Sequence, residues 1–175
     1  MSIPTLTTLS NKILAFGTIL TSRLNLFPAN VSPLGSFGFF GNPLIFLASI
    51  IVFDLTIGGL YRGFWFTYLG FAMYPLMGLI AKRLQKQSAL ILLPTASFLF
   101  FLVSNFGSWY YWYPRSIEGL ILCYSLAIPF YVRTLMGDLT FGYSYLFWQS
   151  EARKKVQKII LNTFSLQSKR FFLSK

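Results

Sequence analysis

The fold of this chain is decided by residues 104–139, which read SNFGSWYYWYPRSIEGLILCYSLAIPFYVRTLMGDL. The stretch leaves one apolar run, crosses a cluster of tryptophan and tyrosine, turns at Pro114 and returns through a second apolar run. Tryptophan and tyrosine are enriched where membrane helices meet the water interface. The pattern therefore predicts a helical hairpin that crosses a lipid bilayer and turns at its surface.

The composition of the whole chain agrees with a membrane protein. Hydrophobic residues make up 55% of the 175 residues and charged residues 11%, whereas about a quarter of the residues of an ordinary soluble domain are charged. A helix needs about 20 consecutive apolar residues to cross a bilayer, and several stretches of the chain approach that length. We therefore predict an all-α integral membrane protein with one membrane-embedded domain.

The chain lacks the residues on which most enzymes depend. It has no histidine, four acidic residues and one cysteine, Cys123, which excludes an internal disulfide and a cysteine-based metal site. Most hydrolytic chemistry needs a nucleophile with an adjacent base, or a positioned acid and base. The local signatures of nucleotide-binding loops and zinc sites are also missing from the sequence. The sequence predicts no enzyme, no catalytic residue, no metal site and no cofactor.

The positive charges predict an orientation in the membrane. The net charge is +11, and the basic residues gather in the loop 82–86 and after Ser150. Lysine and arginine concentrate on the cytoplasmic side of membrane proteins. We therefore predict a multi-pass protein of the cell inner (plasma) membrane with both termini in the cytoplasm. Since this rule accounts for the charge, the predicted partner is the lipid bilayer and not a nucleic acid.

Apolar runs, prolines and short polar loops predict a bundle of six helices in residues 1–149. The first segment, which contains Lys12, fits either a short span or a helix at the interface. The second predicted helix is short. In the last predicted helix, Pro129 indicates a break near residues 129–132. The predicted helices cover residues 6–22, 33–41, 43–60, 64–82, 89–112 and 117–149.

Residues 150–175 are predicted to form a basic cytoplasmic tail. The segment has seven basic residues and one acidic residue. Val156, Ile159, Ile160 and Phe164 follow each other at helical spacing. Such a pattern is typical of an amphipathic helix that lies on the inner leaflet.

Polar side chains within the predicted spans need a physical reason, since a carboxylate at the centre of a lone membrane helix costs about 2.5–3.5 kcal/mol. Asp54 and Asp138 lie in such spans, and the amide of Asn105 follows a strongly apolar run. For Asp54 both a functional and a structural interpretation stay open. The functional one is contact with a ligand or ion, and the structural one is a pair with Arg62 or a cap on a nearby helix end.

The aromatic side chains near the predicted turn also have two interpretations. Trp109, Tyr113 and Tyr124 have flat faces with polar tips, which suit a small aromatic or heterocyclic ligand. The alternative is the aromatic belt of an ordinary membrane protein. Ser116 and Glu118 precede an apolar run, which favours a cap on the following helix.

Four blocks of the sequence resemble a family of small bacterial membrane proteins that is known as a domain of unknown function. In that family the pattern runs roughly P-N-F-T-P, S-D, T-N-F-G-x-W, Y-P-x-T-x-x-G-L-x-x-C-Y-x-x-A-I-P-F and T-L-x-G-D-L. The resemblance covers about residues 23–147, and its motif asparagines and aspartates match Asn30, Asp54, Asn105 and Asp138. The blocks are FPANVSPLGSFGFFG (27–41), Asp54, NFGSWYYWYPRSIEGL (105–120) and CYSLAIPFYVRTLMGDL (123–139).

That family looks similar to the substrate-binding S components of energy-coupling-factor (ECF) transporters. The resemblance implies a six-helix bundle that captures a vitamin or metal ion outside the cell and docks on a shared ATPase module in trans. In such a subunit the segment from Arg23 to Pro33 would act as a gate, since it is irregular backbone that can close over a ligand.

We therefore expect a small-molecule binding subunit of a membrane transporter, which captures a vitamin-like molecule or an ion from the extracytoplasmic side. The alternative is a structural or assembly membrane protein without a transported ligand, in which the same polar groups hold helices together. The expected substrate-binding residues are Asn30, Asp54, Asn105, Trp109, Tyr113, Tyr124 and Asp138.

Overall fold

A computed structural model of the chain describes residues 31–84 and 88–173, in which all regular structure is helical. There are five helices in these residues, and the second continues into a π-helical turn at Asp54–Gly58. We number them in chain order: α1 Leu34–Phe40, α2 Pro43–Phe53, α3 Phe64–Arg83, α4 Ser88–Trp112 and α5 Ile117–Leu173.

Three segments are long and apolar enough to cross a membrane, namely Phe64–Arg83, Ser88–Trp112 and Ile117–Ser150. Pro43–Gly58 is a shorter apolar helix. Many large apolar side chains on these helices are exposed, as lipid-facing side chains would be; examples are Leu44, Trp65, Ile91 and Phe147. These helices confirm the predicted all-helical structure in the described residues, and their length and composition are those of a membrane protein.

The count of six helices is not shown by the structure. The predicted first helix, residues 6–22, lies outside the described residues, and the part that is described contains five helices. Predicted segments 33–41, 43–60, 64–82 and 89–112 agree with the structure to within a few residues, whereas α5 continues beyond the predicted end at residue 149 to Leu173. For example, predicted segments 33–41 and 64–82 correspond to α1 and α3.

The predicted break near residues 129–132 does not occur, because α5 continues through Pro129 as one helix from Ile117 to Leu173. A proline removes the single hydrogen bond to the carbonyl four residues earlier, here that of Ser125. Pro129 is exposed, so its ring does not displace a packed neighbour. The backbone bonds on either side persist because an apolar environment offers no other partner.

The chain divides into two compact units, Met1–Gly142 and Tyr143–Lys175. The sequence placed the corresponding boundary between residues 149 and 150, where the charge increases. The second unit is helical as far as Leu173. The position of residues 150–175 on the cytoplasmic side stays a prediction.

Side-chain caps explain where two helices begin. The side chain of Asn42 accepts hydrogen bonds from the backbone N–H groups of Leu44 and Ile45, at 2.9 and 3.2 Å. Ser116 Oγ accepts one from Gly119 at 3.2 Å, so the predicted cap of the last helix is confirmed. Each cap satisfies donors that the first turn of a helix leaves without a partner.

The first unit is built on the antiparallel pair α3 and α4, which pack along their length. Aromatic rings fill this interface: Phe71 and Phe100 have centroids 4.8 Å apart, and Phe66 and Phe106 are 5.7 Å apart. The short helix α1 lies against both α3 and α4.

The two ends of this unit differ in chemistry. We call one the belt end, because it carries the aromatic residues at the end of α4. There Gly63, which precedes α3, packs on the ring of Tyr111. Gly63 has φ 83°, a conformation that glycine adopts without strain. We call the other the basic end, since α3 finishes there with the exposed Lys82 and Arg83.

Helix α1 runs beside the half of α3 that leads to the basic end. A Cβ atom on Gly35 would collide with the ring of Tyr74, and one on Gly78 would collide with the carbonyl oxygen of Phe39. The two backbones therefore approach closely at Gly78, as small residues allow in membrane proteins.

We predict that Gly78→Ala lowers the free energy of unfolding by about 1–3 kcal/mol, because the added methyl group overpacks this contact. Thermal denaturation of the detergent-solubilised protein measures the effect. The matched control is Leu76→Ala, which shortens an exposed side chain on the same helix. An equal loss of stability in both variants would contradict the close approach of α1 and α3.

Candidate functional site

Asp138 lies where four helices of the first unit meet, and it is 1% exposed. The hydroxyl of Tyr74, on α3, donates a hydrogen bond of 2.6 Å to its carboxylate oxygen Oδ2. Ser36, on α1, donates one of 2.9 Å to its backbone carbonyl. The backbone N–H of Gly35 also interacts with the carboxylate. A single acidic residue thus contacts groups from separate parts of the chain.

The fourth helix contributes Ser97, which is 0% exposed. Its hydroxyl interacts with the Tyr74 hydroxyl and the Asp138 carboxyl. It nevertheless makes no hydrogen bond of standard geometry with the described residues. We call Tyr74, Ser97 and Asp138, together with Gly35 and Ser36, the Asp138 cluster.

The Asp138 cluster is close to the middle of the membrane-spanning part. Tyr74 stands 10 residues after Phe64 and 9 residues before Arg83, which is about 14–15 Å from either end of α3 at the helical rise. An unpartnered carboxylate at this depth would cost about 2.5–3.5 kcal/mol. The hydroxyl and N–H donors around Asp138 compensate for part of that cost.

Irregular backbone reaches the same depth. Val31 to Pro33 are not helical, and a Cβ atom on Gly137 would lie 2.8 Å from the backbone nitrogen of Ser32. Helix α1 therefore starts near the middle of the membrane, beside Asp138, and has no capping side chain at Pro33. Non-helical backbone at this depth occurs in membrane proteins where it is buried in protein or lines a cavity.

Asp54 forms a second buried acidic position, with 3% exposure. It is the first residue of the π-helical turn Asp54–Gly58, which ends α2 near the belt end. A Cβ atom on Gly58 would lie 2.9 Å from its Oδ1 atom, so the turn wraps closely around the carboxylate. Arg62, the structural partner considered for it, is exposed. Single π-helical turns are frequent at functional sites.

Three of the predicted site residues make hydrogen bonds within the α4–α5 hairpin. Asn105 Nδ2 donates to the carbonyl of Phe101 at 2.8 Å, and Trp109 Nε1 donates to that of Pro114 at 3.0 Å. Tyr124 Oη donates to the carbonyl of Leu102 at 2.7 Å. The bonds of Trp109 and Tyr124 stabilise the hairpin near its turn, whereas the Asn105 bond lies within α4. Tyr113 is half-buried at the same turn.

The structure does not gather the predicted residues into one cluster. Tyr124 and Asp138 are separated by 14 residues of α5, which is about 21 Å along a helix. Helix α2, which leads to Asp54, contacts α1 and α3 and, among the described residues, does not pack against α4. Asn30 lies outside the described residues. Binding of a substrate by any of these side chains stays a prediction.

Comparison with known proteins assigns the chain to a family. Residues 5–159 match DUF6580, a family of unknown function. The chain belongs to the DUF6580 family. No curated protein and no solved structure matches the chain. This membership confirms the expected kinship with a family of unknown function. The similarity to S components stays a prediction.

Sequence reasoning missed most of the Asp138 cluster in this DUF6580 protein. Tyr74 was an unremarkable aromatic residue in an apolar run, and Ser97 was a small residue in another. One available signal was the run of small residues in LGSFG (34–38), which indicates close helix contacts. The pairing of Tyr74 with Asp138 has no local signal, since 64 positions separate them.

We predict that Tyr74→Phe destabilises the DUF6580 protein by about 1.5–3 kcal/mol, the range for a buried hydrogen bond to a charged group. Thermal unfolding in detergent provides the measurement. The matched control is Tyr61→Phe, which removes an exposed hydroxyl bond of the same length, 2.6 Å, to Thr67. The control should change stability by less than about 1 kcal/mol. Equal effects would contradict a special role for the buried pair.

Proposed function

We propose that this DUF6580 protein is a small-molecule binding subunit of a membrane transporter, with Asp54 as its charged contact to the ligand. The observation that carries the proposal is the burial of Asp54 in a π-helical turn at the belt end. Ionisable residues within membrane-spanning helices are rare and are commonly associated with the binding or passage of a ligand or ion.

The charge distribution supports capture from the extracytoplasmic side. Lys82 and Arg83 are exposed at the basic end, which the positive-inside rule assigns to the cytoplasm. Asp54 is near the opposite end, where α2 finishes. A carboxylate in this position would meet a ligand that arrives from outside the cell.

The chemistry of the site favours a ligand with a positive charge or with several N–H donors. A buried carboxylate only accepts hydrogen bonds when it is ionised, and it attracts cations strongly where water is excluded. A monovalent cation or a vitamin-like heterocycle with a protonated nitrogen fits this requirement. Trp109 and Tyr113 remain proposed additional contacts on the same side, and Asn30 remains a proposed contact outside the described residues.

The break before α1 supports a binding site that can open. Val31 to Pro33 are the last residues of the proposed gate, and they lie as non-helical backbone against Gly137. Transporters commonly place interrupted helices near the membrane centre, where such backbone takes part in binding. Rearrangement of this segment would not require a membrane helix to unfold.

The transport step would need a partner. The sequence contains no local signature for nucleotide binding, so an ATPase module in trans would supply the energy, as for S components of ECF transporters. In this proposal residues 6–22 form the sixth helix of the bundle.

A structural or assembly role is the second candidate, and specific contacts favour it. Trp109 and Tyr124 use their polar atoms to bind the α4–α5 hairpin itself. Asp138 is held by Tyr74 on another helix. Polar groups that join helices in this way can have assembly of the bundle as their sole role. The two candidates differ in whether the purified protein carries a ligand.

Native mass spectrometry of the detergent-purified protein tests the proposal. The wild-type chain should retain a small molecule or ion, and Asp54→Asn should lose most of it. We expect at least a tenfold lower bound fraction, since removal of a charged partner typically costs more than about 1.4 kcal/mol, which equals a factor of ten.

The matched control is Glu118→Gln, which neutralises an exposed acidic residue at the start of α5. It should bind like the wild type. A wild-type protein that carries no small molecule, or equal retention by Asp54→Asn and the control, would favour the structural role.

A further inference from the structure

We propose that the Asp138 cluster is a proton-binding site inside the membrane, in which the Asp138 carboxyl group exchanges one proton with water while Tyr74 and Ser97 remain its partners. This site is distinct from the proposed ligand contact at Asp54. It requires neither a ligand nor a transport partner.

The first argument is the depth and burial of the carboxyl group. Asp138 is 1% exposed and lies level with the centre of α3. Taking an ionised carboxyl group out of water carries a free-energy penalty, because burial disfavours the charge. Protonation of the carboxyl group relieves that penalty.

The second argument is the set of groups that face the carboxyl group. From α3 there is the hydroxyl of Tyr74, from α4 that of Ser97, and from α1 the N–H of Gly35. Tyr131, on α5 itself, is the other titratable group that interacts with Asp138. Among the described residues no lysine or arginine contributes to this environment. With no fixed positive charge beside it, the buried carboxylate can be neutralised by a proton.

The third argument is the buried hydroxyl of Ser97. It is 0% exposed and makes no standard hydrogen bond with the described residues, although it faces the carboxyl group. A hydroxyl can donate to a carboxylate or accept from a carboxylic acid. A change in the Ser97 side-chain rotamer would bring this hydroxyl into a hydrogen bond with Asp138 in either state.

The chemical step is a simple transfer. A hydronium ion gives its proton to a carboxylate oxygen of Asp138, so one O–H bond forms on the protein and one breaks in the hydronium ion, which leaves as water. The reverse step restores the carboxylate. Tyr74 keeps its own proton throughout and donates to Oδ2 in both states.

Infrared difference spectroscopy of the full-length protein in liposomes tests this site directly. Spectra taken between acidic and alkaline buffers should show the C=O stretch of a protonated carboxyl group, present in acid and lost in base. The band should be missing in Asp138→Asn and retained in Glu118→Gln. Identical difference spectra for the wild type and Asp138→Asn would overturn the proposal.

Tyr74→Phe keeps the test decisive if Asp138→Asn fails to fold. This variant retains the carboxyl group and removes the hydroxyl that donates to it. Because a carbonyl that loses a hydrogen-bond donor vibrates at higher frequency, the Asp138 band should move to higher wavenumber. The control Tyr61→Phe should leave it in place. A pH-dependent carboxyl band that Tyr74→Phe does not move would also contradict the assignment.

Discussion

The structure of the first unit depends on the hydrogen bond from Tyr74 to Asp138. A carboxylate in the middle of a membrane is costly, and here its neighbours come from α1, α3 and α4. The bond can form only when these helices are correctly assembled. The buried carboxyl group therefore favours one arrangement of the helices, because a misplaced helix would leave it without its hydrogen-bond donors.

The same contact explains why α1 is short and starts where it does. Only glycine fits at position 35, since a Cβ atom there would collide with Asp138 and Tyr74. Pro33 has no hydrogen-bonding side chain to cap the helix. Ser32 Oγ accepts a hydrogen bond of 3.4 Å from the N–H of Leu34, and the carboxylate of Asp138 interacts with the N–H of Gly35. A tertiary contact thus supplies part of what local sequence supplies to α2 through Asn42.

Much of the helical architecture could be predicted from the sequence, because the length of an apolar run and its polar ends determine a membrane helix. Residues 89–112 were predicted, and α4 covers Ser88–Trp112. Pro129 was misleading, since the loss of one hydrogen bond did not interrupt α5. The burial of Asp54 and Asp138 could be predicted from the cost of exposing charge to lipid. Their separate surroundings could not, because partners such as Tyr74 are distant in sequence.

The depth of the cluster has an electrical consequence. Tyr74 is nearly equidistant from both ends of α3, so a charge that reaches Asp138 from either surface crosses about half of the transmembrane voltage. At 100 mV this amounts to about 1.2 kcal/mol for an elementary charge. The resting potential of a living cell would therefore bias the occupancy of a site that contains no voltage-sensing arginine of its own among the groups that face it.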